Sequence, residues 1–262
     1  MPSLCAGKMA ILQIKNLSKD FGGLRVLENI NFSLDAGSVV GLIGPNGAGK
    51  STLVNLIGGG DQPTRGEIYF GSRRLNGLPA WRIARLGLAR TFQITRIFSA
   101  LTLNDNVRLA AWTNGWRGKS LETEAERLIA LTELSDKTGI LGRDLTLADQ
   151  KRLQLARALA LKPKLLLLDE VMAGLNPSEL DRAIQLLAKL RNEGITMLVI
   201  EHLMRVIMSI SDRVLVLHQG TLIADGPPAE IVASSQVQEA YLGRRYVKNR
   251  SIIQPDEVKE GT

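Results

Sequence analysis

The sequence has little of several features that define other classes of protein. Its one cysteine, Cys5, excludes a disulfide within the chain, so a reducing cytoplasm is the expected compartment. No apolar run approaches the ~18–20 residues of a bilayer-spanning helix, and the first residues lack the long apolar stretch of a secretory signal. Aromatic residues make up 4% and are not interleaved with basic ones, which argues against a stacking platform for single-stranded nucleic acid.

Apolar and basic residues, by contrast, are plentiful. Hydrophobic residues make up 45% of the 262, which is typical of a globular protein with an ample core. This length suits one large domain or two small ones. The net charge of +7 is compatible with nucleic acid, an anionic membrane surface or a polyphosphate as ligand, and equally with solubility alone.

The chain is organised around residues 38–58, where a short apolar strand, a glycine loop and a helix follow one another. A triphosphate is wrapped by backbone N–H groups, so side chains must be absent where the chain curls. The helix that follows directs its unpaired N–H groups and its positive dipole end at the phosphates. This order is that of a P-loop and predicts nucleotide binding. The predicted binding residues are Gly44, Pro45, Asn46, Gly47, Ala48, Gly49, Lys50, Ser51 and Thr52.

Charged and hydroxyl groups in and near this loop predict a magnesium-dependent reaction. Lys50 is expected to place its charge beside the β- and γ-phosphates, and Ser51 to offer its hydroxyl to Mg²⁺. Asp169 and Glu170 end the apolar run Leu165–Leu168, which predicts a buried strand. We expect Asp169 to hold Mg²⁺ through its water shell, and Glu170 to be the general base for a water in line with the γ-phosphate.

Two further polar residues end predicted strands. His202 follows the strand Thr196–Ile200, at the carboxyl edge where open parallel sheets gather ligands. It is expected to hydrogen-bond the γ-phosphate or the attacking water and to share catalysis with Glu170. Gln93 ends the strand that leads into a helical stretch, and its amide is expected to touch the nucleotide's Mg²⁺ or the water. The predicted metal set is Ser51, Gln93 and Asp169.

The secondary-structure signals predict an α/β fold. Residues 11–43 and 66–77 carry strand patterns, the second ending at a hairpin-type Asn76-Gly77, and together they predict an antiparallel layer. Strands and helices alternate after the helical stretch, which predicts a mostly parallel sheet covered on both faces. The expected organisation is a leader over residues 1–10, one domain over 11–243 with a helical subdomain inserted at about 94–160, and a mobile tail over 244–262.

In order, these motifs resemble the ATP-binding subunit of ABC transporters, over about residues 10–243. That family has a P-loop, a glutamine loop, a helical subdomain, a signature helix, a Walker B Asp-Glu, a D-loop and a switch histidine, and each has a counterpart here. The resemblance implies a P-loop NTPase core of the ABC ATPase fold, with ATP and Mg²⁺ bound. It also implies a second ABC ATPase subunit and transmembrane permease subunits as partners, no nucleic acid, and a peripheral position on the cytoplasmic face of the membrane.

The resemblance assigns further residues. Phe21 corresponds to the aromatic residue that stacks on adenine, and the D-loop that contacts the other subunit corresponds to Ala173, Gly174, Leu175 and Asn176. The family signature, usually L-S-G-G-Q, meets the ATP of the partner subunit, and its counterpart here is Thr146, Leu147, Ala148 and Asp149.

The signature departs from the family pattern. Thr146-x-x-Asp149 is a capping box that starts a helix without any ligand, and Ala148 adds a methyl group where glycine is usual. In this family each ATP lies between the P-loop of one subunit and the signature of the other, so a pair of subunits has two such composite sites. We therefore expect the partner to be a different ATPase subunit and the two composite sites to be unequal, with a homodimer as the alternative.

Within the family, the segments GLIGPNGAGKSTLVNLI, ARTFQITRIF, AGLNPSE, EHLMRVIM, SDRVLVLHQG and EAYLG resemble the subunits of branched-chain amino acid importers. The expected function is ATP hydrolysis that powers import of branched-chain or related amino acids, with a separate substrate-binding protein as an indirect partner. The alternatives are an ABC system for an amide, urea or lipid-linked export, a P-loop small-molecule kinase, a DNA-repair or chromosome-type ATPase, and an ATP-gated module without turnover.

Overall fold

The structure, a computed structural model, describes residues 10–93 and 96–242. Most of the expected leader and the whole expected tail lie outside the described residues, while Ala10, predicted to belong to the leader, begins the first strand. The strands are β1 Ala10–Phe21, β2 Leu24–Asp35, β3 Val39–Ile43, β4 Arg65–Phe70, β5 Arg73–Arg74, β6 Leu88–Arg90, β7 Leu165–Asp169, β8 Thr196–Ile200, β9 Arg213–His218 and β10 Thr221–Gly226. The helices are α1 Lys50–Ile57, α2 Ala80–Arg85, α3 Leu103–Thr113, α4 Gly118–Leu131, α5 Leu147–Leu159, α6 Pro177–Asn192, α7 Met204–Ile210, α8 Pro228–Ala233 and α9 Ser235–Leu242.

The first sheet is the predicted antiparallel layer, with strand order β2-β1-β4-β5. A turn forms at Asn76-Gly77 as predicted, with the Leu78 N–H donating to the Leu75 carbonyl at 2.9 Å. Its assignment to a hairpin is wrong, because β4 and β5 are joined at Gly71-Ser72 and the Asn76-Gly77 turn follows β5. The side chain of Asn76 instead accepts the N–H of Ile68 at 2.9 Å and donates to the carbonyl of Gly66 at 3.1 Å. The Asn76 side chain therefore makes hydrogen bonds to two backbone groups of β4.

The second sheet has six strands in the order β10-β9-β3-β8-β7-β6. All neighbouring pairs are parallel except β10 and β9. Every residue of β3, β7 and β8 is buried. Because parallel strands end at the same edge of a sheet, the segments that follow β3, β7 and β8 lie side by side.

Both faces of the parallel sheet are covered, as predicted from its apolar strands. Side chains alternate along β7: Leu165 and Leu167 join the core that includes the antiparallel sheet and α1, and Leu166 and Leu168 join the core shared with α3 to α7. The helix α1 is therefore packed between the two sheets, with its first residue at the sheet edge where β3 ends.

Helices α3, α4 and α5 pack on one another as a helical unit, which is inserted in the sequence between β6 and β7. Two of these helices begin with a threonine N-cap, Thr102 in α3 and Thr146 in α5. Each hydroxyl accepts the backbone N–H of an Asp three residues later. Within the described residues, none of the helices combines the length and apolar character needed to cross a membrane.

Candidate nucleotide-binding site

The glycine loop is shaped by its contact with β9 and the turn that follows. A methyl group on Gly44 would lie 2.1 Å from the carbonyl oxygen of Leu217, so no other residue fits there without moving the backbone. The N–H of Gly220 donates to the carbonyl of Ala48 at 3.0 Å. At Gly47, φ is +78° and a side chain would meet no neighbour, which leaves the loop backbone open toward the cleft.

The Lys50 ammonium lies inside the curl of this loop. It donates to the carbonyl oxygens of Gly44 at 2.6 Å and Pro45 at 3.1 Å. Burial lowers the pKa of Lys50, and the nearby charges of Glu170 and Asp169 oppose that shift. The loop therefore holds a cation beside two carboxylates, where an anionic ligand would be strongly attracted.

An open cleft joins the glycine loop to the end of β7. It is lined by Val26, Asn46, Gly47, Ala48, Gly49, Lys50, Ser51, Thr52, Gln93 and Glu170. Across it, the Gln93 amide donates to the Glu170 carboxylate at 2.6 Å, although the two residues are far apart in the sequence. The structure thus brings Gln93 and Glu170 together with the predicted phosphate loop.

The backbone of Glu170 adopts an unusual conformation. Its φ is +50°, a region that costs a non-glycine residue about 1 kcal/mol or more. The Glu170 N–H donates to the carbonyl of Ile200 at 2.9 Å, which ties the end of β7 to the end of β8. This turn aims the Glu170 side chain away from the sheet and into the cleft.

Asp169 lies beneath the cleft and is paired with a residue that the sequence analysis did not single out. Its carboxylate accepts from Arg90 at 2.9 Å, and both side chains are largely buried. Arg90 also donates to the side chain of Asn55 in α1 at 2.5 Å. Arg90 thus links β6, β7 and the phosphate-loop helix.

Another such residue, Glu201, precedes the predicted catalytic histidine. Its carboxylate is buried at the end of β8, one oxygen accepts the Met172 N–H at 2.9 Å, and burial raises its pKa. His202 is exposed, with Nδ1 4.0 Å from the other Glu201 oxygen. His202 lies at the edge shared with the phosphate loop, outside the lining of the cleft.

The predicted signature residues form a closed network at the start of α5. The Thr146 hydroxyl donates to Asp149 at 2.6 Å, and Lys137 donates to the same carboxylate oxygen at 2.7 Å. Although burial opposes the shift, the hydrogen bonds from Lys137 and Thr146 lower the pKa of Asp149. Leu147 is exposed and Ala148 half-buried, and neither lines the cleft beside the chain's own phosphate loop.

The predicted D-loop follows Glu170 and leads into α6. Asn176 caps that helix in a complete capping box with Glu179. A methyl group on Gly174 would lie 3.6 Å from the side chain of Leu147, so the D-loop and the signature are neighbours within one chain. The ammonium of Lys151 in α5 donates to the carbonyl of Ala173 and joins the same two segments.

Two aromatic residues, Phe21 and Tyr241, lie outside the lining of the cleft. Phe21 is exposed at the end of β1, where the Lys19 ammonium lies 4.5 Å from its ring centre, and it is outside the cleft lining, to which Val26 belongs. Burial raises the pKa of Tyr241 in α9 to about 12, while a hydrogen bond from the backbone of Gly44 opposes that shift. The last described helix therefore touches the first residue of the glycine loop.

The glycine loop at the head of α1, the lysine within its curl and the paired acids at the end of β7 define a P-loop nucleotide-binding protein. The family model "ABC transporter" matches residues 27–173, and the model "Branched-chain amino acid ATP-binding cassette transporter" matches residues 221–247. The chain belongs to the ABC transporter family, as one of its ATP-hydrolysing subunits.

Named relatives match nearly end to end. The chain is 40% identical to the high-affinity branched-chain amino acid transport ATP-binding protein BraF of Pseudomonas aeruginosa, over 89% of this chain and 98% of BraF. It is 39% identical to LivG of Escherichia coli K12, a protein described in the same words, with the same coverage. It is 33% identical to the lipopolysaccharide export system ATP-binding protein LptB of Acidithiobacillus ferridurans, over 90% of this chain and 98% of LptB.

Solved structures confirm the fold. A nucleotide-free ATP-binding cassette of an ABC transporter superposes with a TM-score of 0.82 at 26% identity, covering 90% of this chain and all of that one. The dimeric bacterial cassette MJ0796 gives a TM-score of 0.76 at 28% identity, covering 83% and 98%. ATP-binding subunits of ABC transporters work with permease components and dimerise.

Proposed function

We propose that this chain hydrolyses ATP to power an importer of branched-chain or related amino acids, bound peripherally to its permease on the cytoplasmic face of the membrane. The observation that carries the reaction is the joining of Gln93 and Glu170 across the cleft beside the glycine loop. The substrate class follows from the names of BraF and LivG, to which the chain is similar over most of its length. We also propose that residues 11–243 form the working domain, with the helical subdomain at about 94–160.

In this proposal, each residue in the cleft has one task. The backbone N–H groups from Gly44 to Thr52, which Pro45 lacks, bind the phosphates, and Lys50 exchanges its loop carbonyls for the β- and γ-phosphates. Glu170 accepts a proton from the attacking water, and His202 turns from its exposed position to contact the γ-phosphate. Phe21 packs on the adenine ring beyond the rim. Positioning and charge neutralisation supply most of the rate enhancement.

The oxygen donors present suit Mg²⁺, which prefers carboxylate, hydroxyl and amide oxygens together with phosphates and water. Ser51 and Gln93 face the cleft, and Asp169 ends the neighbouring strand. These three would hold the ion, directly or through water. When bound, Mg²⁺ would neutralise charge on the phosphates.

We propose that the second ATPase subunit is a different chain. The hydroxyl of Thr146 and the carboxylate of Asp149 already satisfy one another and Lys137, so the signature offers the partner's ATP little beyond backbone N–H groups. If the signature of the partner offered side-chain hydrogen bonds to ATP as well as backbone N–H groups, the two composite sites would be unequal. The D-loop, from Ala173 to Asn176, would lie at that interface.

We place the permease contact at an exposed groove beside the Gln93 segment. Phe92 and Phe98 are exposed there, and arginines stack on both rings: Arg96 on Phe92 at 4.6 Å and Arg157 on Phe98 at 4.6 Å. Such aromatic and arginine pairs are typical of protein interfaces. Contact at this groove would carry movement of Gln93 to the membrane helices.

The decisive experiment compares Glu170→Gln and Lys50→Ala in the assembled transporter. Glu170→Gln should bind ATP as the wild type does and turn over at least about 100-fold more slowly, because it removes the proton acceptor. Lys50→Ala should lose nucleotide affinity itself. Glu126→Ala, at an exposed acid of α4, is the matched control. Wild-type turnover by Glu170→Gln would refute the assignment of the base.

A second candidate, lipid-linked export, is favoured by the similarity to LptB. Transport assays on vesicles containing the complex distinguish the two. ATP-dependent uptake of labelled leucine supports the importer, and extraction of a labelled lipid without amino acid uptake supports the exporter.

A further inference from the structure

Glu201 is the most completely buried acid beside the proposed reaction centre. Its side chain has no solvent exposure, and one of its two oxygens, Oε2, has no hydrogen-bond partner in the structure. A buried carboxylate with an unsatisfied oxygen is costly, so a protein that keeps one has a use for it. Glu201 is not part of the phosphate site proposed above.

The satisfied oxygen holds the turn that carries Glu170. Oε1 accepts the N–H of Met172, two residues after Glu170. That turn includes the left-handed backbone of Glu170, which needs support from its surroundings. Lys151 holds the same turn from the other side by donating to the carbonyl of Ala173. A buried acid directly after β8 and a buried lysine of α5 thus both bond the backbone of this turn.

The unsatisfied oxygen faces the neighbouring imidazole. Oε2 lies 4.0 Å from Nδ1 of His202, about 1 Å beyond hydrogen-bonding distance. A small rotation of the exposed imidazole would let Nδ1–H donate to Oε2. That contact would fix the tautomer and leave Nε2 to face the γ-phosphate.

We propose that Glu201 is a positioning residue that sets both catalytic groups: one oxygen fixes the turn that aims Glu170, and the other orients His202 during turnover. The inference rests on the roles proposed for Glu170 and His202. Glu201 would thereby connect the proposed base and the histidine. Lys151, which bonds the same turn, links both to the signature helix of the same chain.

Two variants at Glu201 separate its two oxygens. In Glu201→Gln the amide oxygen can still accept the Met172 N–H, because that N–H needs an acceptor. The amide NH₂ group is then the one that faces His202. Glu201→Ala removes both contacts. We expect kcat to fall about tenfold in Glu201→Gln and about 100-fold in Glu201→Ala, with KM for ATP and binding of a fluorescent ATP analogue changed less than about threefold.

The measurement is single-turnover and steady-state ATP hydrolysis by the assembled transporter, with thermal unfolding as a folding check. In a His202→Ala background, Glu201→Gln should add less than about a twofold loss, because its effect passes through the imidazole. Glu126→Ala, at an exposed position of α4, is the matched control. Glu201→Gln decides the question even where Glu201→Ala fails to fold.

Three results would overturn the inference: wild-type kcat in Glu201→Gln, an equal loss in both Glu201 variants, or a full tenfold loss from Glu201→Gln without His202. Glu170→Gln in the same preparation keeps the two proposals apart. If Glu170→Gln is inactive while Glu201→Gln and Glu201→Ala are normal, the inference alone fails. If Glu170→Gln is active, the proposed base assignment fails.

Discussion

The ion pair between Arg90 and Asp169 gives a stability prediction that the structure makes quantitative. Arg90→Met keeps most of the side-chain volume but removes the charge that Asp169 faces at 2.9 Å. The carboxylate of Asp169 is 3% exposed, so water cannot replace the lost partner. Leaving one member of a buried pair alone costs about 3–5 kcal/mol. The loss of the bond to Asn55 adds to that cost.

Thermal unfolding of the purified chain measures the effect. A loss of this size should lower the midpoint by about 6–20 °C in a domain of this length. The matched control is Arg74→Met, because Arg74 pairs with Glu67 at 3.3 Å while both side chains are more than two-fifths exposed. Exposed pairs contribute at most about 1 kcal/mol, so the control should move the midpoint by only a few degrees.

A second substitution tests the cause. Arg90→Met combined with Asp169→Asn removes the unpaired charge and should recover much of the lost stability. If Arg90→Met unfolds at the same temperature as Arg74→Met, the pair has no special role and the reasoning from burial is wrong. If the double variant is no better than Arg90→Met, the loss comes from packing rather than charge.

Three further predictions follow from contacts at the site. Gly44→Ala should abolish nucleotide binding in a fluorescence titration and destabilise the fold, because its methyl group would overlap the backbone of β9. The control is Gly71→Ala, at φ +57° with no neighbour near the added methyl group. It should cost only about 1–2 kcal/mol of stability and leave binding unchanged. Thr146→Ala and Thr102→Ala should each lose about 1 kcal/mol of cap energy in urea unfolding, but only Thr146→Ala should also lower ATP turnover. The folded pKa of Tyr241, about 12, lies above the unfolded value, so stability should fall as pH rises through 10 to 12. The 295 nm absorbance difference between the wild type and Tyr241→Phe should titrate near pH 12. A midpoint near 10 would contradict the shielding of this partly exposed phenol beside Gly44.

The parts of the fold predicted correctly are those that a local pattern determines. The glycine loop, the all-leucine strand β7 and the capping box of α6 each need only neighbouring residues, and each is where the sequence places it. The strand-helix alternation was enough to predict a parallel sheet, because only a covered sheet can bury such apolar strands. The Asn76-Gly77 turn forms, but the element that follows it is α2 rather than a paired strand, so the local turn signal did not identify a hairpin.

The parts of the site that the sequence analysis missed depend on pairing across the fold. Arg90 is one arginine among many until β6 pairs with β7 and brings it to Asp169. Glu201 resembles any acid beside a histidine until Met172 meets its carboxylate. Glu201 directly follows a predicted strand, which was an available signal, whereas Arg90 lies inside the predicted strand that was expected to end at Gln93. Either signal becomes specific only once the strand order is known.

The support of the glycine loop by the far end of the chain has a consequence for biosynthesis. The loop rests on Leu217, Gly220 and Tyr241, which a ribosome makes long after the loop itself. A nascent chain that has emerged only as far as α6 contains the whole glycine loop but lacks the residues of β9, the following turn and α9 that contact it. The nascent chain should therefore bind ATP only after the segment from Leu217 to Tyr241 has been made and has folded against the loop.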